Sequence, residues 1–522
     1  MVDFSTSLQN TMDKYKKNKK TYTENGAKAY LHSHKAITDM NFNITNLRNE
    51  DWDTIGKEFS DVFYEEDISI AIKYLFLFLD MREGLGERNI SKGILKWLID
   101  NHCDILEKVY KYIPEYGRWD ILILLADPQF NSNKSFRNRV VYTIKDQIFN
   151  DLEDAESGKS ISLLGKWMPS ENASSKETRR LARQLINDLN FTPRMYRKFL
   201  SKLRKALKVV ECDMSANKWS DINYEHVPSK ANLNYSNAFM KHDEEGRSKY
   251  LESLKNGKVK INASVLAPYE IVSKYFNLYS INSYDEALEQ MWKNLPQYQM
   301  NDILVVRDGS GSMTCTCTGN TTCLDVATSL AIYAAEHNSK NWKDKFITFS
   351  SEPEFVDMSK CSSLREKLVL CQRYNDCSNT DIYSTMKLIL NVAKKNRYKQ
   401  SQMPKAILIV SDMQFDTEPN NYYWTHRNIV NTFNYDNTLF ESIQKEYKKN
   451  GYSLPKIIFW NVDSRGNKTI PMQENELGLT LVSGFSANIF KMVLSEDLDP
   501  YKQLLSILNS ERYEPIEKAL LS

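Results

Sequence analysis

The spacing of apolar residues changes once along this chain of 522 residues, and that change constrains the fold more than any other feature. Between about residues 46 and 292, apolar residues recur three and four positions apart, as they do in helices with one buried face. From about residue 302, short apolar runs rich in β-branched residues alternate with helical segments. Because such runs are apolar on both faces, they predict strands of a parallel sheet covered by helices on both sides. The expected fold class is therefore multidomain: an α-helical repeat part followed by a doubly wound α/β part.

The change of period also gives the domain boundaries. We divide the chain into an N-terminal arm at 1–45, an α-helical repeat domain of HEAT-like type at 46–295, an α/β domain at 300–497 and a C-terminal helix at 498–522. In the helical part, helices are expected at 68–78, 90–101, 179–189 and 196–210, and no convincing strand pattern appears. In the α/β part, strands are expected at 303–306, 346–349, 407–410, 457–460 and 479–482, with helices at 324–337, 364–371, 382–395, 439–449 and 487–494.

Composition restricts the class of protein more than it restricts the partner. Apolar residues make up 41% of the chain and charged residues 26%, which is ordinary for a soluble protein. With a net charge of +2, any basic binding surface must be local. The N-terminus lacks an apolar signal-peptide region, and no apolar run is long enough to cross a bilayer. We therefore expect no membrane association and an intracellular, cytoplasmic location, with the eight cysteines as reduced thiols.

Three fragments far apart in the sequence together supply only oxygen ligands. Asp308, Ser310 and Ser312 follow the first predicted strand. Thr380 leads into a predicted helix, and Asp412 follows another predicted strand. Because the carboxyl ends of parallel strands meet at one edge of a sheet, these side chains are expected to converge there. Carboxylate and hydroxyl oxygens suit a hard cation, so we predict a site for Mg²⁺, or for another divalent cation such as Mn²⁺ or Ca²⁺.

Enzymatic alternatives at this place fail on individual residues. A nucleophile elbow centred on Ser310 needs glycine two positions before and two positions after the serine, where Asp308 and Ser312 stand. The phosphate-loop pattern and the His-Glu-x-x-His pattern are absent from the sequence. Haloacid-dehalogenase chemistry needs a second carboxylate where Ser310 stands. We therefore expect a binding site with no catalytic residues, and we rank a metal-dependent nuclease or phosphatase last.

Cysteines crowd the loop after the first metal fragment. Cys315, Cys317 and Cys323 lie there, and further cysteines, Cys371 and Cys377 among them, follow in the same domain. A zinc or redox role is one interpretation. The spacing matches no standard zinc pairing, so reduced thiols without a metal are the favoured one.

The helical part contains one strongly basic stretch. Between residues 176 and 208 the acids are Glu177 and Asp188, so eleven basic residues leave an excess of nine positive charges. Such a density suits phosphate contacts, with Tyr196 and Phe199 available for stacking on bases if exposed. A solvated helix face is the alternative. The candidate nucleic-acid-binding residues are Lys176, Arg179, Arg180, Arg183, Arg194, Arg197, Lys198, Lys202, Arg204, Lys205 and Lys208.

The metal fragments resemble a known family of sites. Asp308, Ser310 and Ser312 match the first element of the metal-ion-dependent adhesion site (MIDAS) of von Willebrand factor A domains, Thr380 the second and Asp412 the third. The resemblance implies a ligand-binding domain, usually without catalysis. Arg307 departs from it, because the strand is usually apolar at this position.

Fragments of the helical part, together with one fragment of the α/β part, resemble a second family. They look like proteins of giant viruses and plants that share domain of unknown function 2828, which are similar in plan to the Ro and telomerase-associated TROVE proteins. The fragments are DMREGLGER at 80–88, YGRWD at 116–120, GKWMP at 165–169, LR at 203–204, VPS at 227–229 and LVSGFS at 481–486. The resemblance implies a helical-repeat ring that binds structured RNA and admits single-stranded ends, in the host cytoplasm if the protein is viral.

Two functions of different classes follow from these expectations. The first is a non-catalytic, Ro-like RNA-binding scaffold, a ribonucleoprotein component whose metal-bearing domain docks a further ligand. The second is a protein-interaction module that captures an acidic partner residue through the metal and does not bind RNA.

Overall fold

The computed structural model of the chain describes residues 20–23, 28–30, 32–33, 35–277, 280–349, 353–375, 381–415, 423–425, 428–430, 439–463, 465, 479–494 and 499–521. These residues form two compact units. The sheet unit takes the described residues within 1–50, 61–66 and 266–507, and the helical unit takes those within 51–60, 67–265 and 508–522. Helices and an α/β sheet are therefore segregated as the change of apolar spacing predicts.

The units are not contiguous in sequence, which differs from the boundaries drawn on apolar spacing. The helices Ala36–Phe42 and Ile44–Leu47 belong to the sheet unit, where Asn461 Nδ2 donates to the carbonyl of Phe42 at 3.0 Å. Residues 508–521 belong to the helical unit, where Arg512 Nε donates to Asp80 Oδ2 at 2.8 Å. Both assignments depend on contacts between residues 419 and 432 positions apart in the chain, and the local period of apolar residues carries no such information.

The helical unit confirms the four helices expected in it. They are observed at Ile68–Leu79, Arg88–Asn101, Lys176–Asp188 and Pro193–Ala206. The last ends four residues earlier than expected because Lys208 adopts a left-handed backbone with φ 49°. The other helices of this unit are Cys103–Val109, Ile113–Tyr116, Trp119–Leu124, Lys134–Glu156, Leu164–Trp167, Val210–Ser215, Ser229–His242, Glu244–Lys255 and Glu514–Leu521. Residues 52–60 of the helix Trp52–Glu65 are also assigned to this unit.

The sheet unit is built on one six-stranded mixed sheet. Its strands are β1 (Ile303–Asp308), β2 (Lys345–Phe349), β3 (Phe355–Asp357), β4 (Ala406–Ser411), β5 (Lys456–Asn461) and β6 (Leu479–Ser483). The spatial order is β6-β5-β4-β1-β2-β3, and every pair is parallel except β2 with β3. The five expected strands are confirmed. The edge strand β3 was missed because three residues, two of them exposed, show no readable alternation.

Helices cover both faces of this sheet. Leu304 of β1 and Ile407 of β4 share one core with side chains of the helices Ile382–Lys395 and Leu439–Lys449. On the opposite face, the Trp460 ring lies 4.7 Å from the ring of Phe490. The other helices of the unit are Ala36–Phe42, Ile44–Leu47, Pro268–Tyr275, Glu286–Lys293, Cys323–Glu336, Leu364–Gln372, Phe490–Val493 and Pro500–Leu508. Strands buried on both faces explain why their sequences are almost wholly apolar.

Several short elements differ from the expectation. The single C-terminal helix expected at 498–522 is instead Pro500–Leu508 and Glu514–Leu521, separated by the 3₁₀ turn Glu511–Tyr513. The helix expected at 487–494 begins as the 3₁₀ turn Ala487–Ile489. Two-stranded ladders lie outside the main sheet, one of them in a stretch expected to lack strands: Lys20–Tyr22 with Lys28–Tyr30, Phe276–Asn277 with Ser280–Ile281, Thr316–Thr318 with Thr321–Thr322, and Tyr423–Thr425 with Asn428–Val430.

Candidate functional site

The strand order places the predicted metal fragments at the point where the sheet reverses direction. β1 and β4 are neighbours, but the chain continues from β1 to one side of the sheet and from β4 to the other. Open α/β sheets leave a crevice at such a point, beyond the carboxyl ends of the strands. Asp308 is the last residue of β1, and Asp412 directly follows β4. Both carboxylates therefore lie where this architecture usually binds ligands.

Asp308 is a fully buried carboxylate held by its neighbours. Its Oδ1 accepts a hydrogen bond from the backbone N–H of Ser310 at 2.8 Å. Its Oδ2 accepts one from Ser411 Oγ at 2.6 Å. Burial and the nearby negative charge of Asp412 raise the pKa of Asp308 to about 7, against these hydrogen bonds, which lower it. A cation beside this pair would favour the ionised form.

The two serine hydroxyls of the first fragment lie next to each other. Ser310 Oγ and Ser312 Oγ are 3.0 Å apart, so both can face one small ligand. Thr380 lies outside the described residues. Its neighbour Asp381 caps the helix Ile382–Lys395 by accepting from the backbone N–H of Ser384 at 2.9 Å. The structure thus brings together the carboxylates and serines of the predicted site.

Asp412 has a cationic neighbour that sequence reasoning missed. Its Oδ2 accepts from Arg465 Nη2 at 2.7 Å, and its Oδ1 accepts from the backbone N–H of Gln414 at 3.2 Å. Arg465 Nε also donates to Asp463 Oδ1 at 3.3 Å. Arg465 therefore supplies positive charge to both Asp412 and Asp463.

Asp463 is a third buried carboxylate at this edge of the sheet. Burial raises its pKa, and the adjacent Arg465 partly offsets that effect. Its Oδ2 is buried without a hydrogen-bond partner among the described residues. The signal for it was present in the sequence, since Asp463 follows β5 by two residues as Asp412 follows β4 by one.

These side chains fit a hard divalent cation by their chemistry. They offer carboxylate and hydroxyl oxygens, and the raised pKa of Asp308 together with the unpaired oxygen of Asp463 shows uncompensated acidity. Within the described part of the chain, no group of three or more His, Cys, Asp or Glu side chains is placed to hold a metal ion. A site that depends on serine and threonine hydroxyls does not require such a group.

Arg307, the departure from the von Willebrand pattern, has a structural role. Its guanidinium is fully buried, and Nη1 donates to Thr328 Oγ1 at 3.0 Å. Nη2 donates to the carbonyl of Tyr374 at 2.9 Å. Arg307 therefore connects β1 by hydrogen bonds to the helix Cys323–Glu336 and to Tyr374, which follows the helix Leu364–Gln372.

The loop cysteines lie beside the serine fragment as thiols. Cys315 Sγ and Cys323 Sγ are 3.3 Å apart, and Cys317 Sγ donates to the carbonyl of Thr321 at 3.5 Å. Cys317, Cys323 and Cys371 are buried, whereas Cys377 lies outside the described residues. Burial raises the pKa of Cys371 to about 11, which opposes formation of its thiolate.

The basic stretch forms two consecutive helices of the helical unit, Lys176–Asp188 and Pro193–Ala206. Five of its eleven basic residues are engaged within the protein. Arg180 pairs with Asp127 and Glu177, Arg197 with Glu171, and Lys202 with Glu156. Arg179 donates to the carbonyls of Ala173 and Ser174, and Arg204 to those of Gly165 and Met168. These five stabilise the local fold.

The remaining six basic side chains are exposed, and within the described residues none of them has an ion pair. They are Lys176, Arg183, Arg194, Lys198, Lys205 and Lys208. Tyr196 and Phe199, by contrast, are buried, and Tyr196 donates to the carbonyl of Pro169 at 2.8 Å. The condition of exposure under which these two rings could stack on bases is therefore not met, because they form the apolar face of their helix.

A helical unit and a mixed α/β unit with acidic residues at its reversal point define the class of this protein. Residues 130–307 match the family described as domain of unknown function (DUF2828), and residues 302–515 match that described as domain of unknown function (DUF7788). An uncharacterized protein, L728, of Acanthamoeba polyphaga mimivirus is 29% identical over 533 residues, which cover 95% of this chain and 88% of that protein. These matches support the resemblance to the DUF2828 family.

In the part of the chain that the structure describes, no helix is long and apolar enough to cross a membrane.

Proposed function

We propose that this protein is a non-catalytic RNA-binding scaffold of the Ro-like type, in which a von Willebrand factor A-like domain docks a second ligand through a divalent cation. The observation that carries the RNA part is the set of six exposed basic side chains on two consecutive helices of the helical unit. Lysine and arginine without an internal carboxylate partner are free to neutralise phosphates and release counterions. The resemblance to Ro and TROVE proteins supports the same function, and the viral relative favours the host cytoplasm as its location.

The docking part of the proposal uses the acidic edge of the sheet. Asp308, Ser310, Ser312, Thr380 and Asp412 would hold Mg²⁺ in a MIDAS-like site. When bound, the ion would offer a position for a carboxylate oxygen of a protein partner. The hydrogen bonds from Ser310 and Ser411 orient Asp308 toward this edge, and Arg465 balances the charge of Asp412.

The RNA part is tested by reversing the charge of exposed lysines only. The variant Lys176→Glu, Lys198→Glu, Lys205→Glu spares Arg179, Arg180 and Arg204, which hold the fold. Its affinity for single-stranded RNA is expected to fall at least tenfold, and the slope of log affinity against log salt is expected to fall by about 2, since each phosphate contact contributes roughly 0.7. The measurement is a titration of labelled RNA at several salt concentrations.

A matched control has the same change of charge elsewhere in the helical unit. Lys241→Glu, Lys255→Glu, Lys258→Glu alters three exposed lysines on or just after the helices Ser229–His242 and Glu244–Lys255. It is expected to keep most of the affinity and of the salt slope. If the two variants lose equal affinity for RNA, the loss comes from the change in net charge alone, and the basic helices are rejected as the binding surface.

The protein-interaction module remains the second candidate because the acidic edge belongs to the sheet unit and the basic helices belong to the helical unit. Two further experiments distinguish it from the RNA-binding scaffold. Purification from the native host would recover no RNA, and protein partners would be lost with Asp308→Ala.

A further inference from the structure

Two of the cysteines beside the serine fragment, residues 308–312, are close enough to form a covalent bond with each other. Cys315 Sγ and Cys323 Sγ lie 3.3 Å apart, whereas a disulfide bond is about 2.0 Å long. Bond formation therefore requires the two sulfur atoms to approach by about 1.3 Å, which side-chain rotation can supply. Neither the proposed metal site nor the basic helices use these thiols.

The backbone holds the two cysteines opposite each other. Thr316 pairs with Thr322 in the short antiparallel ladder that follows the serine fragment. Cys315 and Cys323 each lie one residue beyond that pair, and the backbone N–H of Cys323 donates to the carbonyl of Cys315 at 3.0 Å. Opposed residues of an antiparallel ladder have Cα atoms about 4.5–5.5 Å apart, within the range that a disulfide spans. The bond can therefore form without rearrangement of the ladder.

The two thiols differ in their access to solvent. Cys315 is partly exposed, whereas Cys323 is fully buried as the first residue of the helix Cys323–Glu336. A small oxidant therefore reaches Cys315 first, and Cys323 is protected until it attacks the oxidised sulfur beside it. A partly exposed thiol next to a second thiol is typical of cysteines that respond reversibly to oxidants, and disulfides of this kind are transient in a reducing compartment.

The other cysteines of the sheet unit have less reactive surroundings. Cys317 is buried, and its Sγ donates to the carbonyl of Thr321 at 3.5 Å. Burial raises the pKa of Cys371 to about 11 and also raises the pKa of Cys361, which opposes formation of the thiolate at both. These contacts and pKa shifts favour oxidation at Cys315 over oxidation at these three cysteines.

A bond between Cys315 and its neighbour would fix the serine fragment against the sheet. The backbone N–H of Cys315 donates to the carbonyl of Ser312 at 3.2 Å, so this cysteine ends the turn that carries the Ser312 hydroxyl. Thr328, on the helix at the other end of the cross-link, is held to β1 by a hydrogen bond from Arg307. Because Asp308 directly follows Arg307, the cross-link would limit how far the serine moves from that carboxylate.

We propose that Cys315 and Cys323 form a reversible disulfide bond on oxidation by hydrogen peroxide, and that this bond tightens cation binding at the serine fragment. Peroxide oxidises the Cys315 thiol to a sulfenic acid and leaves one water. The Cys323 thiol then attacks that sulfur, the S–S bond forms, and the thiol proton leaves with the sulfenic hydroxyl as a second water. The disulfide itself goes beyond the proposed function, whereas its effect on the cation rests on the metal site proposed there.

Differential labelling of the full chain tests the bond. The reduced protein is freed of reductant and treated with hydrogen peroxide. Free thiols are blocked with N-ethylmaleimide, the disulfide is reduced with dithiothreitol, and the released thiols are labelled with iodoacetamide. Trypsin releases residues 308–340 as one peptide that contains Cys315, Cys317 and Cys323, so fragmentation of this peptide assigns each label.

The iodoacetamide label is expected on Cys315 and Cys323 about ten or more times as often as on Cys317, which is buried beside the same ladder. Dithiothreitol added before the blocking step is expected to abolish it, since exchange with a dithiol returns both thiols. Iodoacetamide on a different pair of cysteines, or on none, overturns the proposal.

Three variants test the order of attack. Cys323→Ser removes the second thiol, so the sulfenic acid of Cys315 is expected to persist and to be trapped by dimedone. Cys315→Ser is expected to give neither the disulfide nor a dimedone adduct at the buried Cys323. Cys361→Ser is the matched control, because this cysteine is also partly exposed in the sheet unit, and it is expected to form the disulfide as the wild type does. A disulfide that requires Cys361 contradicts the assignment.

Calorimetric titration with Mg²⁺ tests the effect on the metal site. The oxidised wild type is expected to bind Mg²⁺ more tightly than the reduced protein by a factor of about three or more, because the cross-link removes freedom that cation binding otherwise restricts. Cys315→Ser treated with peroxide is expected to keep the affinity of the untreated variant. Equal affinities of the oxidised and reduced wild type overturn the effect on the cation alone. If the disulfide forms but neither form binds Mg²⁺, the metal site of the proposed function is rejected together with that effect.

Discussion

At the scale of single residues, the acidic edge of the sheet is governed by buried charge. Asp308 ends one strand, Asp412 and Asp463 follow the next two strands of the sheet, and all three residues are buried. The first two were predicted from their positions at the ends of apolar strands, and the rule that found Asp412 finds Asp463 when applied to β5. The pairing with Arg465 was not readable, because the partner of a loop arginine depends on how the loop returns to the sheet.

Asp308 gives a prediction for stability and pH. Its folded pKa of about 7 exceeds the ordinary value of 3.8, so the folded protein holds this proton to higher pH than the unfolded chain does. The contribution of Asp308 to the free energy of unfolding therefore declines from about pH 4 to about pH 7 and stays low above. Without metal, Asp308→Asn is expected to be more stable than the wild type at pH 8 by about 1–3 kcal/mol, with a smaller difference at pH 5. Urea denaturation in EDTA measures both.

Asp357 is the control for this prediction, and its pKa is shifted in the opposite direction. Asp357 is exposed on the edge strand, and hydrogen bonds from Ser359 lower its pKa. Its contribution to stability is therefore present above the unfolded pKa, and Asp357→Asn is not expected to stabilise the protein at pH 8. Added Mg²⁺ is expected to raise the melting temperature of the wild type and not that of Asp308→Asn. A stabilisation by Mg²⁺ that is equal in the two proteins contradicts the role of Asp308 as a ligand.

At the scale of elements, the sequence predicts strands and long helices well and short connections poorly. The helices Ile382–Lys395 and Leu439–Lys449 have the bounds expected from apolar spacing. The helix Leu164–Trp167 has only four residues, too few for any period to show. Its position is decided by tertiary packing against the helix Pro193–Ala206.

Gly165 is the contact that lets this short helix approach its neighbour. A Cβ added at Gly165 would lie 2.6 Å from Leu203 Cβ on the helix Pro193–Ala206. Gly165→Ala is expected to lower the free energy of unfolding by about 1–3 kcal/mol, because overpacking moves the two helices apart. The control Ser160→Ala, at an exposed position of the same connection, is expected to change it by less than about 0.5 kcal/mol. Equal stabilities of the two variants would show that the helices adjust without cost.

At the scale of the whole molecule, each unit is completed by residues from the far end of the chain. The helical unit includes the C-terminal residues, where Arg512 pairs with the buried Asp80 and the Tyr513 ring stacks 5.7 Å from that of Tyr116. No local pattern predicts such a pairing, since sequence spacing reports neighbours along the chain and not across it. The two family matches meet near residue 302. The match over 302–515 includes Arg512 and Tyr513, whereas neither match includes Asp80 or Tyr116.

Removal of the C-terminal pairing is expected to destabilise the helical unit selectively. Arg512→Ala leaves the Asp80 carboxylate buried without its main cation, which costs about 3 kcal/mol. The Asp80→Asn, Arg512→Ala double variant leaves no uncompensated charge and is expected to recover part of that loss. Hydrogen exchange read by peptide is expected to increase in the helices Ile68–Leu79 and Glu514–Leu521 but not in β1 or β4. A uniform increase over both units would contradict selective destabilisation.

The central claim, that the basic helices bind RNA, is tested most directly by ultraviolet crosslinking of the protein purified from its native host, followed by identification of the crosslinked peptides and sequencing of the bound nucleic acid. We predict RNA attached to peptides between residues 176 and 208. Recovery of no RNA, or crosslinks confined to the sheet unit, would contradict the claim.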